Sequence, residues 1–246
     1  MPRPDDPAGL AGRVDLSRRA RAHPGRRHRR RRPSPVPLSP VVARGAGCGE
    51  ARTDPRDRRA TAPARRAARR DIRLDGMPRE RALATAFLLL DQGLFRIGGE
   101  AYRADNGSFG LATLRKRHVR ITTAGVAVFD YVAKSGLRRH VEIDDTDVVD
   151  AVRVMRRRRS GGGELLAYRE GSPRRGTWRD LSSTDIGAHV KERLGEDASA
   201  KDFRTWHGTV LAAVALAQHG ERDPGREQDR SVRDAVADVA QRLGTP

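Results

Sequence analysis

The feature that most constrains the fold is the uneven distribution of charge and aromatic residues along the 246-residue chain. Residues 1–70 contain 20 Arg, no Lys and 6 acidic residues, so they carry +14 of the formal net charge of +18. They hold 10 of the 14 Pro and no Phe, Tyr or Trp. Such a segment lacks the apolar surface that would offset its ordering entropy. The sequence therefore predicts a disordered tail over 1–70 and a folded domain over 71–246.

Two interpretations of this tail remain open. A disordered arginine-rich arm is typical of nonspecific binding to phosphate groups. A segment rich in Arg, Ala and Pro but without Lys is also what a GC-rich gene gives when it is read in a wrong frame or from a wrong start. Under either interpretation, the strongly basic part of the chain is a tail and not the body of the domain.

Several classes of protein are disfavoured by composition. Cys48, the single cysteine, excludes an internal disulfide and a cysteine-rich metal site, which fits a reducing cytoplasm. The longest apolar run, ALATAFLLL at 82–90, is shorter than the roughly 18 residues that favour a membrane span. The N-terminus has no apolar segment typical of a signal peptide. We expect a cytoplasmic protein with a polyanionic partner, most simply nucleic acid, and no contact with a membrane.

Periodicity predicts a fold that is mainly α with a small antiparallel β-sheet (α+β). RERALATAFLLLDQG at 79–93 is rich in helix formers and has Gly93 as a stop. HVRIT, VAVFDYV and LRRHVEI alternate apolar and polar residues between short turns, which predicts a three-stranded antiparallel sheet over about 117–143. Four further helices are predicted over 145–157, 183–194, 200–218 and 229–243.

The helix predicted over 200–218 begins with a recognisable cap. Ser199 and Asp202 have the spacing of a capping box, which places the helix start at about Ala200. Helical spacing then predicts one apolar face made of Trp206, Val210, Val214 and Ala217.

The stretch KDFRTWHG at 201–208 places Arg204 in the first turns of that helix. Free backbone N–H groups and the helix dipole favour an anion there, and a forked guanidinium suits a phosphate. His207 lies three residues further along on the same side of the helix. The alternative is that Arg204 forms a salt bridge with Asp202 or with a neighbouring helix.

Two more basic positions stand out. TLRKRHVR at 113–120 leads into the first predicted strand, and Lys134 lies in the hairpin turn YVAKSG. Arg96 is flanked by Phe95 and Ile97 and needs a polar partner in so apolar a setting. A lysine at a hairpin tip is most often merely solvated, so Lys134 alone is a weak signal.

Taken together, these motifs resemble a known family. The order of FRIGGEAYRADNGSFGLATLRKRHVRI, Lys134 and KDFRTWHGTVLAA is similar to that of the catalytic domain of type IB DNA topoisomerases of the bacterial and poxvirus kind. The resemblance covers about residues 72–246 and implies the fold of the DNA breaking-rejoining enzymes. Strand-passing recombinases and integrases are mechanistic relatives, but NGSFGL-TLR-RHV resembles the topoisomerases more closely.

The resemblance implies relaxation of supercoiled duplex DNA through a transient 3′-phosphotyrosyl link, without ATP, a metal or another cofactor. It implies that Arg96 and Arg204 stabilise the phosphate in the transition state and that Lys134 is the general acid. A monomer is expected. Residues expected to contact DNA are Arg115, Lys116, Arg117, His118, Lys201 and His207.

The chain departs from the family pattern at both ends. In the family, leucine-glycine is followed by histidine or asparagine, by threonine-proline and, about eight residues later, by the nucleophilic tyrosine. Here the sequence closes on LGTP at 243–246, without that histidine or asparagine and without the tyrosine. The tyrosines present, Tyr102, Tyr131 and Tyr168, are not expected to replace it.

Residues 1–70 also have neither the length nor the composition of the β domain that precedes the family's catalytic region. We therefore expect the chain as written to lack activity. The alternatives are a catalytically dead module that binds duplex DNA and a fragment of a decayed gene.

Overall fold

The structure, a computed structural model, describes residues 55–99, 107–172, 175–219 and 226–244. Short 3-10 turns lie at Leu111–Thr113, Lys116–His118 and Lys134–Gly136. The helices and small antiparallel sheets of these residues confirm the predicted α+β class. The helices are α1 (Pro55–Asp71), α2 (Arg79–Gly93), α3 (Thr146–Arg157), α4 (Ser183–Leu194), α5 (Ala200–His219) and α6 (Arg226–Leu243). The strands are β1 (Val119–Ile121), β2 (Ala127–Val132), β3 (Arg138–Ile143), β4 (Ala167–Glu170) and β5 (Thr177–Asp180).

Helix α2 lies at the centre of the core and has the predicted bounds. Almost all of its residues after Arg81 are buried, because leucine and alanine cover every side of the helix. It packs against α1, α3, α4 and α5. Within the described ranges, no helix is both long and apolar enough to cross a membrane. The helix ends at Leu94, whose φ of 54° is left-handed and turns the chain sharply toward Arg96.

The three-stranded sheet is also confirmed. Strand β2 lies between β1 and β3 and is antiparallel to both. In the register of β2 and β3, Tyr131 lies directly opposite Arg139, so both side chains are on the same face of the sheet. Gly125, with φ of 77°, permits the turn between β1 and β2, and the turn Lys134–Gly136 joins β2 to β3.

A second hairpin, formed by β4 and β5, was not predicted from the sequence. Its strands are four residues long and mostly polar, so their alternation is too short to indicate a strand. Trp178 of β5 nevertheless reaches the core. Tyr168 lies within β4 of this hairpin.

The predicted tail boundary is wrong for residues 55–70, because these residues belong to α1. Small alanines at Ala64, Ala67 and Ala68 are buried and let this arginine-rich helix pack closely against its neighbours. The helix spacing collects these alanines on one face, while Arg66 and Arg70 are exposed. Residues 1–54, which carry both interpretations of the tail, lie outside the described residues.

The predicted apolar face of α5 is wrong as well. The buried face contains Phe203, His207 and Ala215, whereas Val214 is 49% exposed. Helix α5 is apolar on most sides, so spacing alone did not define which face meets the core. The face is decided by Phe203, whose ring packs edge-on against Phe87 at a centroid distance of 5.1 Å.

An ion-pair network fixes α1 and α5 against α2. The Asp91 carboxylate accepts hydrogen bonds from Arg65 Nε and Nη2 at 2.8 and 2.7 Å, and lies 3.2 Å from His207 Nε2. Burial acts to raise the pKa of Asp91, but the hydrogen bonds from His207 and Arg65 outweigh it and lower the pKa below the ordinary 3.8.

We expect Asp91→Asn to lower the free energy of unfolding by about 2 to 3 kcal/mol, less than for a fully buried pair because Arg65 is partly exposed. The folded-state pKa of Asp91 is lowered, so its stabilisation is full above pH 3.8 and is lost as the pH falls through the folded value. Urea unfolding at several pH values tests this. Asp150→Asn, in an exposed pair with Arg153, should change stability by at most about 0.5 kcal/mol; equal losses in the two variants would contradict the assignment.

Candidate active site

Backbone contacts hold the segment that carries Arg96. The Arg96 carbonyl accepts a 2.8 Å hydrogen bond from Leu111 N, and the Ile97 carbonyl accepts one of the same length from Ala112 N. The two segments cross where Gly98 meets Gly110, so closely that a Cβ added to Gly110 would lie 2.5 Å from the Gly98 backbone. Arg96 itself is half-buried on this rigid crossing.

Arg204 is buried near the start of α5 and donates to two backbone carbonyls. Its Nη1 lies 2.5 Å from the carbonyl oxygen of Leu94, and its Nη2 lies 2.8 Å from that of Leu243. The alternative of a salt bridge to Asp202 is wrong, because Asp202 accepts hydrogen bonds from Ser199 N and Oγ. Those bonds form the Asp202 half of the predicted capping box, while Asp202 N donates to the Ser199 carbonyl. Arg204 thus joins the C-terminal ends of α2 and α6.

Arg139 is a member of the site that the sequence reasoning missed. Its Nη1 donates to the Arg242 carbonyl at 2.7 Å and its Nη2 to the Gly93 carbonyl at 3.4 Å, and its side chain is buried. The signal was present in the alternation of LRRHVEI. Arg139 has the same parity as Val141 and Ile143, so a two-residue period places it on the buried face.

The three arginines form a cluster with excess positive charge. Burial, followed by the charges of Arg96 and Arg139, lowers the pKa of Arg204 to about 10. Within the described part of the chain, no carboxylate pairs with Arg139 or Arg204. Because an anion would relieve the mutual repulsion, this cluster is suited to bind a phosphate.

Tyr131 lies among these arginines but is closed to solvent. Its ring stacks on Phe95 at a centroid distance of 5.9 Å, and only 5% of the residue is exposed. Burial raises the pKa of its hydroxyl, although Arg139, Arg204 and Arg96 act in the opposite direction. A buried phenol with a raised pKa is poorly placed to attack a phosphate on bound DNA.

Lys134 lies on the turn that leaves the same strand. It is exposed, three residues after Tyr131, and Ser135 and Gly136 have left-handed φ values of 64° and 72°. The structure therefore brings Arg96, Arg139 and Arg204 together and places Lys134 on the turn that follows the strand carrying Tyr131.

The prediction that His207 contacts DNA is wrong. The residue is buried and its Nε2 lies 3.2 Å from the Asp91 carboxylate, so it belongs to the network that fixes α5 to the core. Sequence spacing placed it beside Arg204 on the helix, but the acidic partner on α2 lies 116 positions away and was not visible from that spacing.

In the basic turn before β1, some side chains form hydrogen bonds within the fold and others are exposed. Lys116 Nζ donates to the Arg158 carbonyl at 3.1 Å. His118 Nδ1 accepts from Arg115 N at 3.1 Å, and burial, followed by nearby Arg117 and Arg115, lowers the pKa of the His118 imidazole. Arg117 is exposed, so it stays accessible to a phosphate.

The remaining DNA-contact candidates differ in exposure. Lys201 is exposed at the start of α5, whereas Arg115 is half-buried and its backbone forms a bridge to Glu164. Tyr102 lies outside the described residues.

Comparison of the sequence with those of known proteins shows which proteins the chain is similar to. The profile of the catalytic core of eukaryotic DNA topoisomerase I matches residues 60–245. DNA topoisomerase 1B of Acanthamoeba polyphaga mimivirus is 26% identical over 155 residues, which cover 60% of this chain and 44% of the viral protein. DNA topoisomerase 1 of Schizosaccharomyces pombe is 26% identical over 153 residues, or 62% of this chain and 17% of the yeast protein. The chain thus spans less than half the length of these relatives.

We expect Gly110→Ala to disturb the crossing that supports Arg96. The φ of Gly110 is −132°, so the added methyl group acts through its clash with the Gly98 backbone and not through backbone strain. Overpacking of this kind lowers stability by about 1 to 3 kcal/mol. Gly99→Ala is the matched control, because its Cβ would meet no atom within 4 Å. Thermal unfolding of both variants tests this, and an equally stable Gly110→Ala would show that the crossing is not tight.

Proposed function

The chain belongs to the type IB DNA topoisomerases, and on that premise we propose that Arg96 and Arg204 of its arginine cluster bind a backbone phosphate of duplex DNA. The observation that carries the proposal is the group of Arg96, Arg139 and Arg204, which brings positive charge together without a carboxylate on the two buried members. Structural arginines in the same chain have such partners: Arg158 pairs with Asp180, and Arg65 pairs with Asp91.

The chemistry that such a cluster would support, with a tyrosine at the bound phosphate, is transesterification. The tyrosine oxygen attacks the phosphorus atom and loses its proton to solvent water, the bond from phosphorus to the 5′ oxygen breaks, and a 3′-phosphotyrosyl link forms. Negative charge gathers on the non-bridging oxygens in the transition state, where preorganised donors stabilise it. Arg204 uses one N–H at each of Nη1 and Nη2 for carbonyls, so its other N–H groups remain for a phosphate.

Lys134 is the proposed general acid. The leaving 5′ oxygen needs a proton as its bond to phosphorus breaks, and the Lys134 ammonium supplies it; the reverse transfer accompanies resealing. Its place on an exposed turn supports this role, because a group there can reach a bound strand without desolvation of the DNA inside the core. The phosphotyrosyl link conserves the energy of the phosphodiester, so this route uses no ATP.

A second candidate function is duplex-DNA binding without cleavage. It is favoured by the positions of the described tyrosines. Tyr131 is buried against Phe95, and Tyr168 is half-buried in β4 beside the core. Neither is exposed near the arginine cluster in the way that a nucleophile for bound DNA requires. Under this function, the 246-residue chain grips DNA through the cluster and leaves both strands intact.

Plasmid relaxation separates the two functions. The purified 246-residue chain is incubated with supercoiled plasmid in EDTA and without ATP, and DNA binding is measured in parallel. We expect binding without relaxation, because no described tyrosine is placed for attack. Relaxation would overturn the binding-only function; Tyr102→Phe, Tyr131→Phe and Tyr168→Phe would then identify the nucleophile, and Lys134→Ala would test the general acid. A folded chain with no affinity for DNA would overturn both functions.

We expect Arg96→Ala to weaken binding to a short DNA duplex, mainly at low salt. Loss of one phosphate contact lowers the slope of log affinity against log salt by about 1, so the loss of affinity shrinks roughly fourfold between about 50 and 200 mM salt. Fluorescence anisotropy measures both quantities. Arg179→Ala is the control, because Arg179 is exposed on β5 and paired with Glu170. An unchanged salt slope for Arg96→Ala would contradict a phosphate contact.

A further inference from the structure

The C-terminal ends of α2 and α6 meet at two guanidinium groups. The last carbonyls of a helix have no partner within the helix. Arg139 donates hydrogen bonds to one such carbonyl at each helix end, those of Gly93 and Arg242. Arg204 donates to the next carbonyl at each end, those of Leu94 and Leu243. The two arginines therefore form a clamp, here named the double arginine clamp, that fixes the end of α6 beside Arg204.

Two glycines let the end of α6 lie close to Arg139 and to α5. Gly244, with φ of 58°, lies so close to Arg139 that an added Cβ would be 2.4 Å from Arg139 Cδ and 2.7 Å from Nη1. On α5, a Cβ added to Gly208 would lie 3.1 Å from Leu243 Cδ1. The end of α6 thus rests directly on the Arg139 side chain on one side and on α5 on the other.

We propose that Arg139 is a positioning residue: by holding the end of α6 through the double arginine clamp, it sets the orientation in which Arg204 meets a DNA phosphate. This inference rests on the function proposed above. In this role Arg139 acts through Arg204 and does not contact DNA itself, because the Gly244 backbone lies against its Cδ and Nη1 and its two terminal nitrogens donate to the carbonyls of Gly93 and Arg242. Its cross-strand neighbour Tyr131 supports it from β2.

Shape and not charge is the property of Arg139 that this role requires. A guanidinium is a rigid fork that reaches two acceptors at once, whereas a lysine ammonium is a single point of charge on a flexible stem. Arg139→Lys keeps the positive charge and the electrostatic attraction for DNA, but it cannot hold both helix ends. A variant of this kind separates positioning from simple attraction.

The test is a double-mutant cycle on DNA affinity in the full 246-residue chain. The proteins are wild type, Arg139→Lys, Arg204→Gln and the double variant, and the probe is a fluorescent duplex of about 30 base pairs at low salt. We expect Arg139→Lys to weaken binding about five- to tenfold when Arg204 is present and less than about twofold when residue 204 is Gln, since coupled neighbours deviate from additivity by this much.

Arg138→Lys is the matched control for charge and strand. Arg138 precedes Arg139 on β3, is exposed, and pairs with Asp130, so its replacement should change affinity less than about twofold. Gly244→Ala disturbs the clamp without altering any charge and should reproduce the effect of Arg139→Lys. Gly125→Ala imposes the same kind of left-handed strain where a Cβ meets nothing within 4 Å, and it controls for strain alone.

The other possible results of the cycle distinguish positioning from an independent contact and from a purely structural role. Equal losses from Arg139→Lys in both backgrounds would overturn the positioning role in favour of an independent contact. Unchanged affinity in both Arg139→Lys and Gly244→Ala, with folding verified by circular dichroism, would overturn it in favour of a purely structural role. If Arg139→Lys does not fold, the cycle is run with Gly244→Ala in its place. A folded wild type that binds no DNA would overturn the proposed function itself, whereas binding with additive losses overturns only the positioning role.

Discussion

The arrangement of the site depends on two buried guanidinium groups whose hydrogen-bond acceptors are carbonyls and not carboxylates. Burying a cation is unfavourable unless hydrogen bonds replace its water. The carbonyl ends of α2 and α6 provide such bonds, and the negative ends of the two helix dipoles add to them. Carbonyls carry only partial charge, so the hydrogen bonds of Arg139 and Arg204 are met while most of their positive charge remains uncompensated.

The same requirement explains why distant parts of the chain converge. Leu94 adopts a left-handed conformation, which costs about 1 to 2 kcal/mol of conformational energy. Its carbonyl accepts a hydrogen bond from Arg204 Nη1. The Gly98–Gly110 crossing fixes the backbone segment that carries Arg96. The stack of Phe95 on Tyr131 then joins that segment to the sheet that carries Arg139. Packing around the cluster is therefore dense, whereas Lys134 stays on an exposed turn.

The helices, strands and site residues that could be predicted are those marked by a pattern within a short stretch of sequence. The helix at 79–93 and the sheet over 117–143 follow from runs long enough to show a period and from turn residues beside them. Helix α1 was missed because its packing face is made of alanines within an arginine-rich sequence, where mean composition hides the stripe. The hairpin of β4 and β5 was missed because its strands are short and polar. Arg96, Arg204 and Lys134 were singled out from their sequence setting and the family resemblance implied their roles, while the clamp depends on long-range carbonyl contacts that no motif encodes.

Arg204 and His207 show why spacing on a helix does not assign function. Both are polar, buried and on the same side of α5, yet His207 faces the carboxylate of Asp91 and Arg204 faces only carbonyls. Arg158 gives the same contrast on another element, because its fully buried side chain pairs with Asp180. A buried cation with a carboxylate partner has its charge met within the fold and serves to hold elements together. A buried cation held by carbonyls alone keeps a demand for negative charge, and this uncompensated charge is the basis on which we propose a phosphate of the DNA backbone as its partner.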